Sequence, residues 1–64
     1  VIQSVVNAVQ VMQAFDTPEP LQLKDVVQRS GLPKGIAFRA LYTLVHCGVL
    51  QKPGPNLYQR LRHL

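Results

Sequence analysis

The sequence predicts a mainly α domain with a small β-sheet, and three observations carry that prediction. Apolar residues recur at helical spacing from Ser4 to Phe15. A Ser30-Gly31-Leu32-Pro33 turn leads directly into a second periodic stretch, and two short β-prone runs flank Pro53-Gly54-Pro55-Asn56. At 64 residues the chain is one domain, of a size that buries only about 60% of its unfolded surface. A large catalytic cleft is not expected in so small a core.

In the first element Val5, Ala8, Val9 and Met12 form the apolar stripe, Phe15 extends it, and Ser4 is the candidate cap. Val6 and Val11 lie off that stripe, and Gln3, Asn7, Gln10 and Gln13 are polar but uncharged. The helix ends before Asp16-Thr17-Pro18-Glu19-Pro20. A helix without charges tolerates a second helix beside it, so Val6, Gln10 and Gln13 are candidates for a dimer contact; a wide buried face within one domain is the competing reading.

Leu21-Gln22-Leu23 has room only for an edge strand. Lys24 to Arg29 forms a short second helix closed by Ser30-Gly31; its two valines lower helix propensity, so packing must hold it. The third helix runs from Pro33 to Cys47, with proline where an N–H has no intrahelical partner and Gly48 as a left-handed stop. At 100° per residue, Ala37, Leu41 and Leu44 share a packing side flanked by Ala40, Val45 and Gly48, while Gly35, Arg39, Tyr42 and His46 lie opposite. Val49-Leu50-Gln51-Lys52 and Leu57-Tyr58-Gln59-Arg60 then form a hairpin around a loop that two prolines and a glycine keep from continuing any regular element. Helix, short strand, helix, helix and two-stranded wing is the order of a winged helix-turn-helix, in which the strand joins the hairpin as a small sheet.

The formal net charge of +4 understates the asymmetry, because all seven Lys and Arg fall after residue 23. The first 23 residues carry −2 from Asp16 and Glu19, and the remainder carries +6. Such a body suits a polyanionic partner, with a merely solvated basic surface as the alternative. The single cysteine, Cys47, fits a reducing setting, and no signal peptide, membrane span or lipidation motif is present; a cytoplasmic location without membrane contact is expected. The lack of an initial methionine suggests a domain of a longer protein. His46 and Cys47 are adjacent and complete no tetrahedral set, and no Ser, His and Asp spacing suggests a nucleophile with its base. Neither a metal, a cofactor nor an enzymatic activity is expected.

Arg39 is the candidate for direct base readout, since its planar fork matches guanine O6 and N7; a phosphate contact or an intramolecular salt bridge are its alternatives. Lys34 occupies the first turn, where free N–H groups and the helix dipole favour a phosphate; a plain solvated lysine is the alternative. Gly35 leaves bare backbone for close approach, although a relaxed helix start also accounts for it. Ile36 and Phe38 meet either thymine methyls or the edge of the core, and Tyr42 meets a phosphate or covers the helix junction. Lys52 and the loop around Gly54 put the wing, 53–56, beside the backbone or minor groove, with Arg60 and Arg62 adding charge; a merely exposed wing lysine is the alternative.

These residues resemble the N-terminal DNA-binding domain of the IclR (isocitrate lyase regulator) family of bacterial transcription regulators. Ser4-Val5, Ala8-Val9 and Val11-Met12 match its first-helix pairs, and Leu21, Leu23, Val26 and Val27 match its second helix. Gly31-Leu32-Pro33-Lys34 followed by Arg39, Leu41, Thr43 and Leu44 matches the turn and recognition helix, and Gly48, Leu50 and Tyr58 match the wing. The family usually has Ser or Thr at the positions of Gly35 and Ile36, and leucine then glycine at those of Arg60 and Leu61. The resemblance implies sequence-specific binding of double-stranded DNA and a homodimer, or a tetramer of dimers, paired through the first helix. It also implies an effector small molecule bound only by a C-terminal domain outside this chain. A winged-helix protein-interaction module without DNA binding is the alternative of a different class.

Overall fold

The computed structural model describes residues 1–61. Its elements are α1 (Gln3–Ala14), α2 (Leu23–Ser30), α3 (Lys34–His46), β1 (Leu50–Gly54) and β2 (Leu57–Arg60), with the two strands antiparallel. The helices pack on one another, and α3 connects them to the hairpin. Leu41, Val11 and Val26 are fully buried at the centre, and Leu44, Leu50, Tyr58 and Leu21 extend the core towards the sheet.

The expected strand over Leu21-Gln22-Leu23 contracts to one antiparallel bridge. Leu21 N–H donates to the Tyr58 carbonyl at 2.7 Å, and Tyr58 N–H donates back at 2.8 Å. A helix cap ends the pairing: Gln22 N–H donates to Asp25 Oδ2 at 3.0 Å, so Leu23 opens α2 instead of continuing the strand. At its other end, α2 stops on Gly31 at φ 76°, whose N–H donates to the Val27 carbonyl at 3.0 Å. Pro33 then caps α3 from an extended conformation rather than forming its first helical residue, and its carbonyl accepts the Ala37 N–H at 2.9 Å. Cys47 and the left-handed Gly48 end this helix where the sequence places its stop.

Two expectations for α1 are corrected. Ser4 is not the cap: Ile2 precedes the helix, its carbonyl accepting the N–H groups of Val5 and Val6 at 3.1 Å each. The buried arc is also rotated from the predicted stripe, since Val11, Ala14 and Phe15 are buried while Val5, Val9 and Met12 are 56%, 45% and 43% exposed. Valines at 5, 6, 9 and 11 surround a helix that has no charged residue to mark its outside, so periodicity alone leaves two arcs nearly equivalent. The end of the helix selects between them. Phe15 enters the core, and Arg29 Nη1 donates to the Ala14 carbonyl and to Asp16 Oδ1, each at 3.3 Å, tying α2 to this terminus.

The hairpin loop is shorter than predicted. Pro53 and Gly54 belong to β1, and the turn proper is Pro55-Asn56. Pairing runs Leu50 with Arg60, Gln51 with Gln59 and Gly54 with Leu57, with a bulge between Gln51 and Gly54. A bulge leaves a residue outside the ladder, which is why proline is accepted there without losing a bond. Gln59 Nε2 donates to the Pro18 carbonyl at 2.7 Å while its Oε1 accepts from Gln51 Nε2 at 3.0 Å, fastening the wing to the loop after α1.

Candidate nucleic-acid interface

The packing side of α3 is the predicted one. Ala37, Ala40, Leu41 and Leu44 are buried, and Gly35, Arg39, Tyr42 and His46 are exposed. The regular turn of the helix places Arg39 almost opposite Leu44 and Ala37. Among the described residues its guanidinium has neither an ion pair nor a hydrogen bond; the salt bridge found is Arg29 with Asp16. Lys34 is likewise exposed on the first turn, just after the Gly31-Leu32-Pro33 turn that aims the helix.

Ile36 and Phe38 flank this outward face on opposite sides, 37% and 49% exposed. Ile36 borders a groove of about 690 Å³ between α1 and α3, together with Val5, Val9, Met12 and Arg39. Phe38 and Tyr42 border another, of about 450 Å³, whose far wall is Lys52, Asn56 and Tyr58 of the wing. Periodicity marks these side chains individually but not the two clefts, which exist only once α1 and the wing close against the same helix.

The wing residues divide. Lys52 Nζ donates to the Pro55 carbonyl at 2.8 Å and lies 5.6 Å from the centre of the Tyr58 ring, so it braces the turn it belongs to. An ammonium has three donors, and this exposed one keeps the others for solvent or a phosphate. Gly54 has a packing reason: a Cβ there lies 3.3 Å from Leu57 Cδ1. At Gly35, by contrast, a Cβ meets nothing within 4 Å. Arg60 is half-buried at the end of β2, and Arg62 lies outside the described residues.

The remaining cations are therefore not equivalent. Arg29 serves the α1–α2 junction, a role the sequence signals only through Asp16, thirteen residues earlier. Lys34 and Arg39 share the exposed side of one helix. No group of three or more His, Cys, Asp or Glu side chains gathers among the described residues, and no helix there is long and apolar enough to cross a membrane.

Residues 4–54 match the family model of the IclR helix-turn-helix domain. The fold superposes on the crystal structure of a protein described as a transcriptional regulator from Rhodococcus sp. RHA1, with TM-score 0.86 and 26% identity over 98% of this chain. It also matches an IclR family transcriptional regulator from Brucella abortus, with TM-score 0.81 and 30% identity over 94% of this chain. This chain spans 25% and 24% of those two proteins. No curated protein matches it significantly. An exposed, unpaired arginine on a proline-capped helix, a wing beside it and a family match over most of the sequence lead to one assignment: the chain belongs to the IclR helix-turn-helix domain family.

Proposed function

We propose that this domain binds double-stranded DNA sequence-specifically by seating α3 in the major groove, with Arg39 on a guanine edge and Lys34 on a phosphate at the helix start. The observation that supports it most is the freedom of Arg39 on a face whose neighbours are all exposed. On this reading Gly35 and Ile36 approach the DNA beside Arg39, Phe38 and Tyr42 face it from the cleft shared with the wing, and Lys52 and Gly54 bring the wing to the backbone. Two copies pair through α1, the one helix without charge, so that two domains of net charge +4 meet where repulsion is least. Val6, Gln10 and Gln13 belong to that contact, and the exposed Val5, Val9 and Met12 give it apolar area. An effector small molecule acts through a further domain of the whole regulator. The location is the cytoplasm, and no catalysis is involved.

Binding of the full-length protein to a genomic fragment library at several salt concentrations tests this reading. Enriched fragments with paired half-sites about 34–36 Å apart, and an affinity that falls as salt rises, are expected. No enrichment together with a flat salt response would reject it. It would leave protein contact as the use of this fold, and a charge placed at Val6 or Gln10 would then abolish function while Arg39→Ala spared it.

A further inference from the structure

Building on the DNA-binding reading above, we propose that Ile36 and Arg39 together read one composite feature, a 5-methylpyrimidine next to a guanine. The half-site then contains thymine-guanine and accepts 5-methylcytosine-guanine in its place. The first ground is chemical elimination. From Lys34 to His46 the helix has no Asn, Gln, Asp or Glu, so it offers neither an amide for adenine nor a carboxylate for cytosine. What its first two turns expose is one guanidinium suited to guanine, one ammonium and the apolar Ile36 and Phe38. The base-edge feature an apolar side chain recognises is the C5-methyl group.

The second ground is placement. Ile36 and Arg39 stand three residues apart on α3, a separation that brings Cβ atoms to about 5–6 Å, and both border the α1–α3 groove. Successive bases on a strand rise about 3.4 Å, so two such side chains reach neighbouring base pairs rather than distant ones. Phe38 points to the other flank, into the cleft shared with the wing, and is not Arg39's partner. A guanidinium hydrogen-bonded in the guanine plane presents a weakly hydrated flat face, which a methyl group on the adjacent pyrimidine covers. The third ground is Gly35, which packing does not require, since a Cβ there meets open space. Bare backbone at that point lets the first turn descend far enough for the short Ile36 side chain to reach a methyl group.

The test uses the full-length protein and duplexes selected from a randomised library. The recovered half-site is resynthesised with thymine, uracil, cytosine or 5-methylcytosine at the pyrimidine beside the selected guanine. Loss of one methyl contact predicts binding about fourfold weaker for uracil than for thymine, and a similar gain from cytosine to 5-methylcytosine. Ile36→Ser abolishes both differences, Ile36→Val keeps them, and the dependence on salt is unchanged in each. Equal affinity for thymine and uracil at a selected, guanine-containing site overturns the inference while leaving DNA binding intact. So does a change of oligomeric mass in Ile36→Ser, which assigns the side chain to a subunit contact along the neighbouring α1 groove. Absence of any selected site removes the DNA-binding reading itself, and this inference with it.

Discussion

At the scale of single residues, Lys34 and Arg39 carry the same charge but predict different losses. If Arg39 makes the proposed base contact, Arg39→Ala lowers affinity for the preferred site by an amount corresponding to about 1–3 kcal/mol while binding to unrelated DNA changes little. If Lys34 makes the proposed phosphate contact, Lys34→Gln weakens binding on all sequences alike, and the slope of log affinity against log salt becomes shallower by about one. Titrations of specific and scrambled duplexes at several salt concentrations separate the two, and equal behaviour of the variants would contradict the assigned roles. The glycines form a second contrasting pair. Gly31 sits at φ 76°, and Gly31→Ala costs roughly 1–2 kcal/mol of stability because a Cβ disfavours that conformation. Gly35 has helical neighbours and open space, so Gly35→Ala raises stability by up to about 1 kcal/mol. Thermal unfolding measures both. If Gly35→Ala also weakens DNA binding, the backbone there approaches its ligand closely; unchanged binding means that the glycine serves no contact.

At the scale of elements, what was legible in the sequence is what local chemistry decides. Gly31, Pro33 and Gly48 mark the bounds of α2 and α3 to within a residue, and α3 could be divided into faces because its buried Ala37, Leu41 and Leu44 contrast with Arg39 and His46. Where such contrast was missing, the reading failed. The buried face of α1 is not legible because valines occupy several of its sides and no charge marks the exposed one. The strand before α2 was overlong because the Asp25 bond to Gln22 N–H, the second half of a capping pattern, competes with pairing at that point. The wing loop is shorter than its prolines suggest because a bulge accommodates Pro53, a choice that depends on the opposite strand. Of the candidate interface, the exposure of Lys34 and Arg39 is legible from α3 alone, but the bracing of Lys52 by the Pro55 carbonyl needs the folded turn. The Arg29 link between α1 and α2 predicts a graded response. Its ion pair with Asp16 is largely solvent-exposed and screened, so Asp16→Asn shifts stability by no more than about 0.5 kcal/mol. Arg29→Ala costs more, because it also removes the bond to the Ala14 carbonyl and the packing of the side-chain stem. Chemical denaturation of the two variants side by side gives that order; equal losses would mean that the ion pair alone matters.

At the scale of the whole molecule, the polar requirements and the apolar surface point to different partners. No buried side-chain nitrogen or oxygen lacks a hydrogen bond among the described residues, yet Val5, Val9 and Met12 remain exposed beside a fully packed core. Leaving that strip in water forgoes burial worth about 25 cal/mol per Å², a noticeable loss for a 64-residue domain with little stability to spare. The proposed pairing of two α1 helices would recover it and hold two copies of α3 at a fixed separation. Once one copy of α3 is bound, the other faces its half-site at a high effective concentration, and affinity then depends on the spacing between half-sites. Val6→Glu and Gln10→Glu place charge beside that strip, within the same proposed contact but off the groove that Arg39 borders, and without entering the core. Both variants are expected to keep the wild-type helical content and the binding to a single half-site, but to lose tenfold or more on the paired site, together with its dependence on spacing. The measurement is affinity for one half-site, and for two half-sites moved apart in single base-pair steps. Retention of the spacing dependence in both variants would show that the copies are joined elsewhere and that this strip of α1 has another occupant.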